Sequence, residues 1–373
     1  MLGKKDKKRK AAETSPETAL ENGDAHNDAG PKKKKPRHPK SAEKLAAKAG
    51  KAAGMAAQPQ NHTLSIAVSA AAIDNVQSHE LATAMAGLIA RTAAIFCVDE
   101  VVVIDESLSP DGGIGQGAAF LARVLQFMET PQYLRKALIP MHKDLRLSGQ
   151  LPPLDAPHHM RATEWGEFRE GVVLASAPGA GSLLDVGLDK SAHVEVALQP
   201  GMRATLEMGP EAQAKRLAAG PLGGAATVLD GRLALPSAPQ AKLGAYWGYT
   251  VRIARGLSAA VSECPFQGGY DLKLGTSERG SKQSAAELQL PAHRHALVAF
   301  GGPLGLEDGY QKDDLRAGGD VTALFDLWVN TCPDQGSRTI RTEEAIPISL
   351  SYLQTALQTS LGQRAPAPDV PAQ

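Results

Sequence analysis

Three loops in the second half of the chain combine glycines with polar side chains, each directly after a predicted strand. They are Gly275–Ser281, Phe300–Glu307 and Asn330–Ala345. In α/β sheets, ligands collect in the crevice at the carboxyl ends of the strands, where such loops meet. Glycines let the backbone approach a ligand closely, and free N–H and C=O groups can contact an adenine edge. Each loop alone could be ordinary turn chemistry, but three at successive strand ends predict a cofactor pocket.

The end of the last loop carries conflicting local signals. Thr342 can cap a helix, and Glu343 and Glu344 suit the positive end of that helix. Pro347 would lie in the second turn, where it removes a backbone hydrogen bond. We therefore predict a helix with an irregular start.

A fourth glycine-rich segment, Gly112–Ala118, resembles a dinucleotide-binding turn only superficially. Its spacing departs from GxGxxG because Ala118 stands where the last glycine should be, and seven residues separate Ile104 from Gly112. The turn that places a pyrophosphate on a helix end is much tighter. A surface loop is the favoured interpretation.

The apolar periodicity around these loops predicts an α/β domain. Leu64–Ser69 alternates like a strand, and His79–Phe96 has apolar residues at helical spacing. Val101–Ile104 is a β-branched run typical of a strand covered on both faces, and Ala118–Met128 is a second helix. This alternation favours a largely parallel sheet. The pattern later resumes with strands at 249–253, 270–274, 295–300 and 324–329, and a closing helix at about 343–357.

A different pattern separates the two α/β halves. Five short alternating runs, divided by Gly, Pro and Asp, predict a small β-barrel inserted into the domain. The runs are 171–174, 183–186, 194–198, 203–206 and 226–229. The predicted boundaries are 1–60 for a tail, 61–162 and 244–361 for the α/β domain, 163–243 for the insertion and 362–373 for a second tail.

The net charge of zero hides two unlike parts. Residues 1–60 hold 15 Lys+Arg against 7 Asp+Glu, whereas the rest of the chain holds 25 against 33. The tail is poor in large apolar residues, which predicts disorder. Its clusters Lys4–Lys10 and Pro31–Arg37 predict import into the nucleus, with the nucleolus as a further destination, or form a solvated charged tail.

Other function classes are disfavoured by composition. No stretch reaches the ~18 uncharged apolar residues of a membrane helix, so no membrane association is expected. The three cysteines form neither a CxxC motif nor a zinc-spaced cluster with histidines, and no metal site is predicted. Widely spaced cysteines favour a reducing compartment.

Eight segments together resemble the eukaryotic SPOUT-domain RNA methyltransferases. The likeness covers about residues 61–360, whereas the tail and residues 210–240 match poorly and Pro347 is unusual. The segments are Ile95–Glu100, Pro131–Lys136, Pro153–Arg161, Glu167–Gly171, Tyr246–Arg252, Gly275–Gly280, His295–Gly302 and Asn330–Ala345.

The resemblance implies a SPOUT-type α/β fold with a C-terminal trefoil knot, a rare exception to unknotted topology, and an OB-like barrel insertion. It implies S-adenosylmethionine bound in the knot of a homodimer, with the active site near the subunit interface. The implied reaction is methylation of large-subunit ribosomal RNA, with uridine N3 as a target. Association with the spindle or centromere is a further family property.

The matching motifs also imply individual roles. Arg338 would bind RNA or stabilise charge on the target base. Glu343 is a candidate general base. A carboxylate in the first turn of a helix, however, more often only stabilises the start of that helix. The implied cofactor contacts are Thr276, Ser277, Arg279, Gly280, Gly301, Gly302, Leu304, Asn330, Gln335, Ser337, Thr339 and Ile340.

Candidate RNA contacts lie mainly in the first half. Asn75 and Arg91 could complete the active site across a dimer. His158, His159 and Arg161 could contact phosphates, although two adjacent histidines are more simply interpreted as part of a linker. The remaining candidates are Tyr133, Arg135 and Lys136.

Two further functions remain open from the sequence. One is a non-catalytic RNA-binding or mitotic scaffold that keeps the cofactor pocket, and the other is an OB-type single-strand binder. Aromatic residues make up only 4% of the chain, which argues against a long base-stacking platform. Recognition of folded RNA through phosphates and shape is therefore favoured.

Overall fold

The computed structural model describes residues 62–107, 112–220, 227–315 and 318–362. The predicted basic tail and residues 363–373 of the predicted C-terminal tail lie outside these ranges. The strands are β1 (Thr63–Ser69), β2 (Glu100–Asp105), β3 (Phe168–Ala177), β4 (Gly181–Asp185), β5 (Ala192–Val194), β6 (Arg203–Glu207), β7 (Leu229–Asp230), β8 (Arg232–Ala234), β9 (Thr250–Arg255), β10 (Leu272–Lys282), β11 (His295–Phe300) and β12 (Leu327–Asn330). The α-helices are α1 (Ala71–Asp74), α2 (His79–Ile95), α3 (Gln116–Glu129), α4 (Gln132–Leu138), α5 (Pro210–Ala219), α6 (Ala238–Leu243), α7 (Gly256–Ser262), α8 (Gly305–Gln311) and α9 (Thr342–Gly362).

Six strands form one sheet in the order β12-β10-β11-β1-β2-β9, and every neighbouring pair is parallel. This confirms the predicted parallel α/β sheet. Val101 and Val103 pack into the core beneath α2, α3 and α9, whereas Val102 and Ile104 pack on the opposite face with α7 and α8. Both faces of the central strands are therefore covered, as the β-branched run predicted.

The second sheet is built from residues 168–234, between β2 and β9 of the first sheet. Its order is β7-β5-β4-β3-β6-β8, with its own apolar core that includes Val173, Leu184 and Leu206. The two edge strands, β7 and β8, are separated in sequence by Gly231 alone. The insertion thus has its own sheet and its own core. Its first and last strands in the sheet order, β7 and β8, are consecutive in the sequence.

Some sequence predictions of the insertion were wrong in detail. The run 194–198 was predicted as a strand, but β5 ends at Val194, and Val196 is exposed. The helix α5 was not predicted. Only Ala212 of α5 is buried and the segment is polar overall, so it has few apolar residues by which a core-facing helix could be recognised.

The closing helix runs further than predicted, from Thr342 to Gly362, and contains Pro347. The helix assignment is continuous through Pro347, so the predicted irregularity does not divide it. Pro347 nevertheless has no N–H, so the carbonyl of Glu343, four residues earlier, cannot receive its usual helical bond.

A buried charge cluster of Glu129, Glu170 and Arg203 joins the insertion to the α/β body. Arg203 Nε, in β6, donates to Glu170 Oε2 of β3 at 2.6 Å. The two terminal nitrogens of the same guanidinium donate to the carboxylate of Glu129, at the end of α3, at 2.5 and 2.9 Å. One cation therefore bridges a carboxylate of the insertion and a carboxylate of the body.

Three further side chains complete the hydrogen bonds of this cluster. Thr205 Oγ1 and Trp247 Nε1 donate to Glu170 Oε1 at 2.6 and 2.7 Å, and His158 Nε2 lies 3.1 Å from Glu129 Oε1. Burial alone would raise the pKa of Glu129, but Arg203 and His158 outweigh it and hold that pKa at about 2. Glu129 therefore stays ionised at neutral pH.

Replacing Arg203 with Met tests this junction. Two buried carboxylates would lose their cation, so we expect the free energy of unfolding to fall by about 3–5 kcal/mol. Lys215→Met is the matched control, because Lys215 pairs with Asp230 at 2.8 Å on the exposed surface of the same insertion and should cost less than about 1 kcal/mol. Urea denaturation measures both values, and equal losses would contradict the role given to the cluster.

Candidate functional site

The first glycine loop is a bulge in β10. This strand pairs with β12 up to Thr276 and again from Ser281, and the register shifts between these two residues. Thr276 Oγ1 donates to the carbonyl of Ala299, in β11, at 2.7 Å. The sequence predicted a loop directly after a strand at 270–274, whereas the strand continues to Lys282 and residues 277–280 form a bulge within it.

Asn330, at the end of β12, holds this bulge in place. Its buried side chain donates from Nδ2 to the carbonyl of Glu278 at 2.8 Å, and its Oδ1 accepts from the N–H of Cys332 at 3.0 Å. A Cβ on Gly280 would lie 2.3 Å from the carbonyl carbon of Val329. Only glycine permits this approach of the two backbones, so the first and third loops are in direct contact.

The second loop follows β11 and is equally tight. The N–H of Gly305 donates to the carbonyl of Gly302 at 3.0 Å, and a Cβ on Gly301 would lie 2.4 Å from backbone atoms of Gly305 and Leu306. Thr342 Oγ1, at the start of α9, donates to the carbonyl of Gly301 at 2.9 Å. All three loops therefore meet at one edge of the sheet.

Two neighbouring glutamates at the start of α9 have different surroundings. Glu344 Oε2 accepts from the N–H of Arg341 at 2.9 Å, which is a helix-start contact. Glu343 Oε2 is buried and has no hydrogen-bond partner among the described residues. The carboxylate of Glu343 is therefore not consumed by capping its own helix.

The remaining candidates in this region form the exposed rim. Arg279 is 75% exposed and lies 3.9 Å from Glu307, and Ser277 Oγ lies 3.4 Å from the same carboxylate. Leu304 is 73% exposed. In the third loop, Gln335 Nε2 donates to the carbonyl of Ser337 at 2.9 Å. Ile340 is half-buried, and the exposed residues of this loop include Ser337, Arg338 and Thr339.

Asn75 lies beside the second loop within the same chain. A cavity of about 180 Å³ is lined by Asn75, Glu106, Lys312 and residues 302–305. Asn75 donates from Nδ2 to the carbonyl of Ala71 at 2.7 Å. Its proposed role across a dimer stays a prediction, but one chain already brings it to Gly302 and Leu304.

Two other RNA candidates make contacts that stabilise the fold. Arg91 donates to the carbonyls of Pro153 and Leu154 at 3.2 and 2.5 Å, which fixes the linker onto α2. Arg135 donates to the carbonyl of Thr130 at 2.9 Å and lies over the ring of Phe127. Their RNA roles stay predictions, as does that of the exposed Lys136.

The histidine pair and its neighbours lie elsewhere, at the junction with the insertion. Tyr133, His159 and Arg161 line a cavity of about 530 Å³. His158 is 1% exposed, and the Nε2 atoms of both histidines lie at hydrogen-bond distance from the carbonyl of Glu129. The structure therefore divides the predicted residues into two groups, one at the three loops and one at this junction.

Sequence reasoning missed several residues that position these groups. Thr342 was recognised only as a helix cap, whereas it ties α9 to Gly301. Gln132 and Asp155 line the junction cavity but were never singled out. Asp155 lies within the Pro153–Arg161 segment, and its positive φ of 55° is unusual for a residue other than glycine.

Comparison with known proteins identifies the protein family to which the chain belongs. The profile of a family described as "Putative RNA methyltransferase" matches residues 63–353. A protein of Homo sapiens named 28S rRNA (uridine-N(3))-methyltransferase is 48% identical over 308 residues, which cover 79% of each chain. A Drosophila melanogaster protein with the same name is 40% identical over 337 residues, covering 86% of this chain and 67% of its own. The Caenorhabditis elegans protein named "Putative methyltransferase spot-1" is 34% identical over 323 residues, covering 80% of this chain and 82% of its own.

The chain belongs to this family of RNA methyltransferases. The matched region, 63–353, contains every site residue predicted from the sequence. A methyltransferase of this family needs a methyl donor, and the three loops meet at the carboxyl edge of the sheet, which is where ligands of α/β sheets commonly bind.

The described ranges contain neither a metal-binding cluster nor a membrane-spanning helix. There, no three His, Cys, Asp or Glu side chains are placed to share a metal ion. Over those same ranges, every helix is either too short or too polar to cross a bilayer.

Gly301→Ala tests how tightly the loops are packed. The new Cβ would overlap backbone atoms that cannot rotate away, so we expect a loss of about 1–3 kcal/mol in the free energy of unfolding. Gly336→Ala is the control, since a Cβ at this third-loop glycine meets nothing within 4 Å. Chemical denaturation measures both, and the packing of the second loop would be refuted by an unchanged Gly301→Ala protein.

Proposed function

We propose that the chain is an S-adenosylmethionine-dependent methyltransferase that modifies N3 of a uridine in large-subunit ribosomal RNA. The observation that carries this proposal is the 48% identity to the Homo sapiens enzyme of that name. The three loops at the carboxyl edge of the sheet supply the geometry that such a reaction requires.

The residues at the loops fit the cofactor. Gly280 and Gly301 lie where any side chain would strike neighbouring backbone, so main-chain groups form the walls of the crevice. These walls suit an adenosine, which is recognised by hydrogen bonds and close backbone contact. The unpartnered carboxylate oxygen of Glu343 and the exposed rim from Arg279 to Leu304 lie on the same loops.

The bound cofactor would supply an electrophilic methyl carbon attached to a sulfonium. The chain must then orient the uridine so that N3 lies in line with this carbon, which is mainly a proximity effect. The N3–H proton must leave as the N–C bond forms and the S–C bond breaks, and Glu343 Oε2 is the group proposed to accept it. Arg338, exposed on the third loop, would stabilise negative charge on the base.

The finer fold proposals follow from the same family. We propose that the C-terminal segment forms a trefoil knot, supported by the contacts of Asn330 with Glu278 and of Thr342 with Gly301. We also propose that the insertion is an OB-like barrel. Gly231 alone joins the two edge strands, β7 and β8. In a flat sheet with strands about 4.8 Å apart, six strands would hold these edges much further apart than one residue can span. The sheet must therefore curve so that its two edges approach each other.

A homodimer is the proposed assembly. Leu81, Leu88 and Ile95 of α2 are 58%, 44% and 60% exposed. Residues seven apart differ in direction around the helix axis by only ~20°, so these three side chains lie on one face of α2. This apolar stripe is the surface we propose for contact with a second copy of the chain.

Leu88→Glu tests this assembly. A charge in the centre of the stripe should convert dimers into monomers, measured by sedimentation velocity of the full chain. Leu217→Glu is the control because Leu217 is a similarly exposed apolar residue on the insertion, at 74%. A wild-type chain that sediments as a monomer would overturn the dimer.

The proposed location is the nucleus, including the nucleolus where ribosomal RNA is made. It rests on the basic clusters Lys4–Lys10 and Pro31–Arg37. Association with the spindle or centromere is proposed only from the family resemblance.

Methyl transfer tests the proposed activity directly. The full chain should bind S-adenosylmethionine in calorimetry and transfer a labelled methyl group to large-subunit ribosomal RNA. The modified nucleoside should be 3-methyluridine by mass spectrometry. Cofactor binding without transfer to any RNA pool would favour the non-catalytic scaffold, and failure to bind the cofactor would overturn the enzyme.

Glu343→Gln separates catalysis from binding. Loss of the base should reduce kcat by about 10²- to 10⁴-fold while cofactor affinity changes little. Glu344→Gln is the matched control, because glutamine keeps the acceptor that the N–H of Arg341 uses. If both variants retain wild-type kcat, Glu343 is not the base.

A further inference from the structure

The large cavity at the junction of body and insertion lies far from the three loops. Its walls come from the start of α4, from the linker 153–162 and from Gly187 after β4. The helix α3 begins after β2 at the carboxyl edge of the sheet and runs for 14 residues before α4 starts. A helix of that length spans about 20 Å, so the cavity lies near the opposite edge of the sheet.

The walls of this cavity are held rigidly. Tyr133 Oη donates to the carbonyl of Glu170 at 2.9 Å, and the ring of Tyr133 occupies the space that a side chain on Gly187 would need. Buried Arg169 donates to the carbonyls of Val186 and Glu164 at 2.9 and 2.8 Å. The cavity is therefore pre-formed, which lowers the entropic cost of binding a ligand.

The volume of about 530 Å³ lies within the range of small-ligand sites, roughly 300–1,000 Å³. Pro153, Met160 and Ala162 give it apolar walls. It is therefore large enough for one nucleotide and too small for a paired helix.

His159 lines this space and carries a neutral acceptor. Its Nε2 lies 2.7 Å from the carbonyl of Glu129, which can only accept, so Nε2 carries the proton and Nδ1 is an acceptor. Burial, reinforced by the neighbouring His158, lowers the pKa of His159 to about 4. The ring is thus uncharged at neutral pH and suits the N–H of a base better than a phosphate.

Arg161 and Gln132 supply the complementary groups. Both are exposed at the cavity, and the backbone N–H of Arg161 already donates to Glu164 at 2.9 Å. The side chain of Arg161 makes no ion pair or hydrogen bond within the described ranges, so its guanidinium can bind phosphate in the bidentate manner of arginine. The guanidinium of Arg161 suits the phosphate of a nucleotide, and the amide of Gln132 and the neutral ring of His159 suit the hydrogen-bonding edge of its base.

We propose that this cavity binds one unpaired nucleotide of the RNA substrate, about 20 Å from the nucleotide that is methylated. The inference rests on the proposed function, because it takes RNA as the substrate. Single-stranded segments are where proteins read RNA bases, since bases within an A-form helix are inaccessible to such a pocket. The site would select RNA by a loop or bulge at a fixed distance from the target uridine.

Ala162→Trp tests the proposal by filling the cavity from an exposed position. The probes are a hairpin with an unpaired loop and a fully paired duplex with the same number of phosphates. We expect the full-length variant to bind the hairpin about tenfold more weakly, as loss of one stacked base would predict, while its duplex affinity is unchanged. Thr163→Trp, on an exposed residue next in sequence that does not line the cavity, should bind both probes as wild type does.

Gln132→Ala provides a second test that adds no bulk. It should weaken hairpin binding severalfold, whereas Gln126→Ala on α3, which is also exposed but lies outside the cavity, should not. Wild-type hairpin affinity in both cavity variants would overturn the proposal, as would equal losses on hairpin and duplex. Methyl transfer by the wild type is measured on the same preparations, so absence of transfer overturns the function, whereas transfer with unchanged variant binding overturns the cavity alone.

Discussion

The guanidinium of Arg203 bridges the α/β body and the insertion, which have separate apolar cores. It contacts Glu129 of the body and Glu170 of the insertion within 2.9 Å. Buried ion pairs contribute little net stability compared with well-packed apolar residues, because desolvation opposes the attraction. Their directional hydrogen bonds instead set geometry, and here they set the angle between insertion and body. The position of Gly187, the residue that the insertion contributes to the lining of the junction cavity, depends on that angle.

The crevice at the other edge depends on backbone contact rather than on charge. Gly280 and Gly301 allow main chain to approach main chain at distances that no Cβ tolerates. Buried side chains then satisfy the carbonyls exposed by this approach, as Asn330 does for Glu278 and Thr342 does for Gly301. A pocket walled by backbone changes little when surface residues vary, because its recognition groups are the same in any sequence that keeps the glycines.

Much of this architecture could be predicted from sequence, and the exceptions have physical causes. The parallel sheet followed from Val101–Ile104, since strands covered on both faces need apolar residues throughout. The loops followed from glycines at strand ends. The helix α5 escaped detection because it buries only Ala212, and β5 was misplaced because exposed Val196 continued an alternating pattern beyond the pairing. Periodicity reports burial, so elements with little burial leave little signal.

Long-range polar contacts were the larger omission. Nothing in the local sequence pairs Glu129 with Arg203, 74 residues away, or places Asn75 beside Gly302. The histidine pair shows the same limit. Its residue types suggested cations that bind phosphate, whereas burial and the neighbouring His158 lower the pKa of His159 to about 4.

Uncharged, His159 can distinguish one base edge from another, which a cation attracted to every phosphate cannot do. The proposed function and the proposed nucleotide site thus lie at opposite ends of α3, with methyl transfer proposed where the helix begins and RNA recognition where it ends. A fixed distance between two RNA contacts at these sites would select one nucleotide among many.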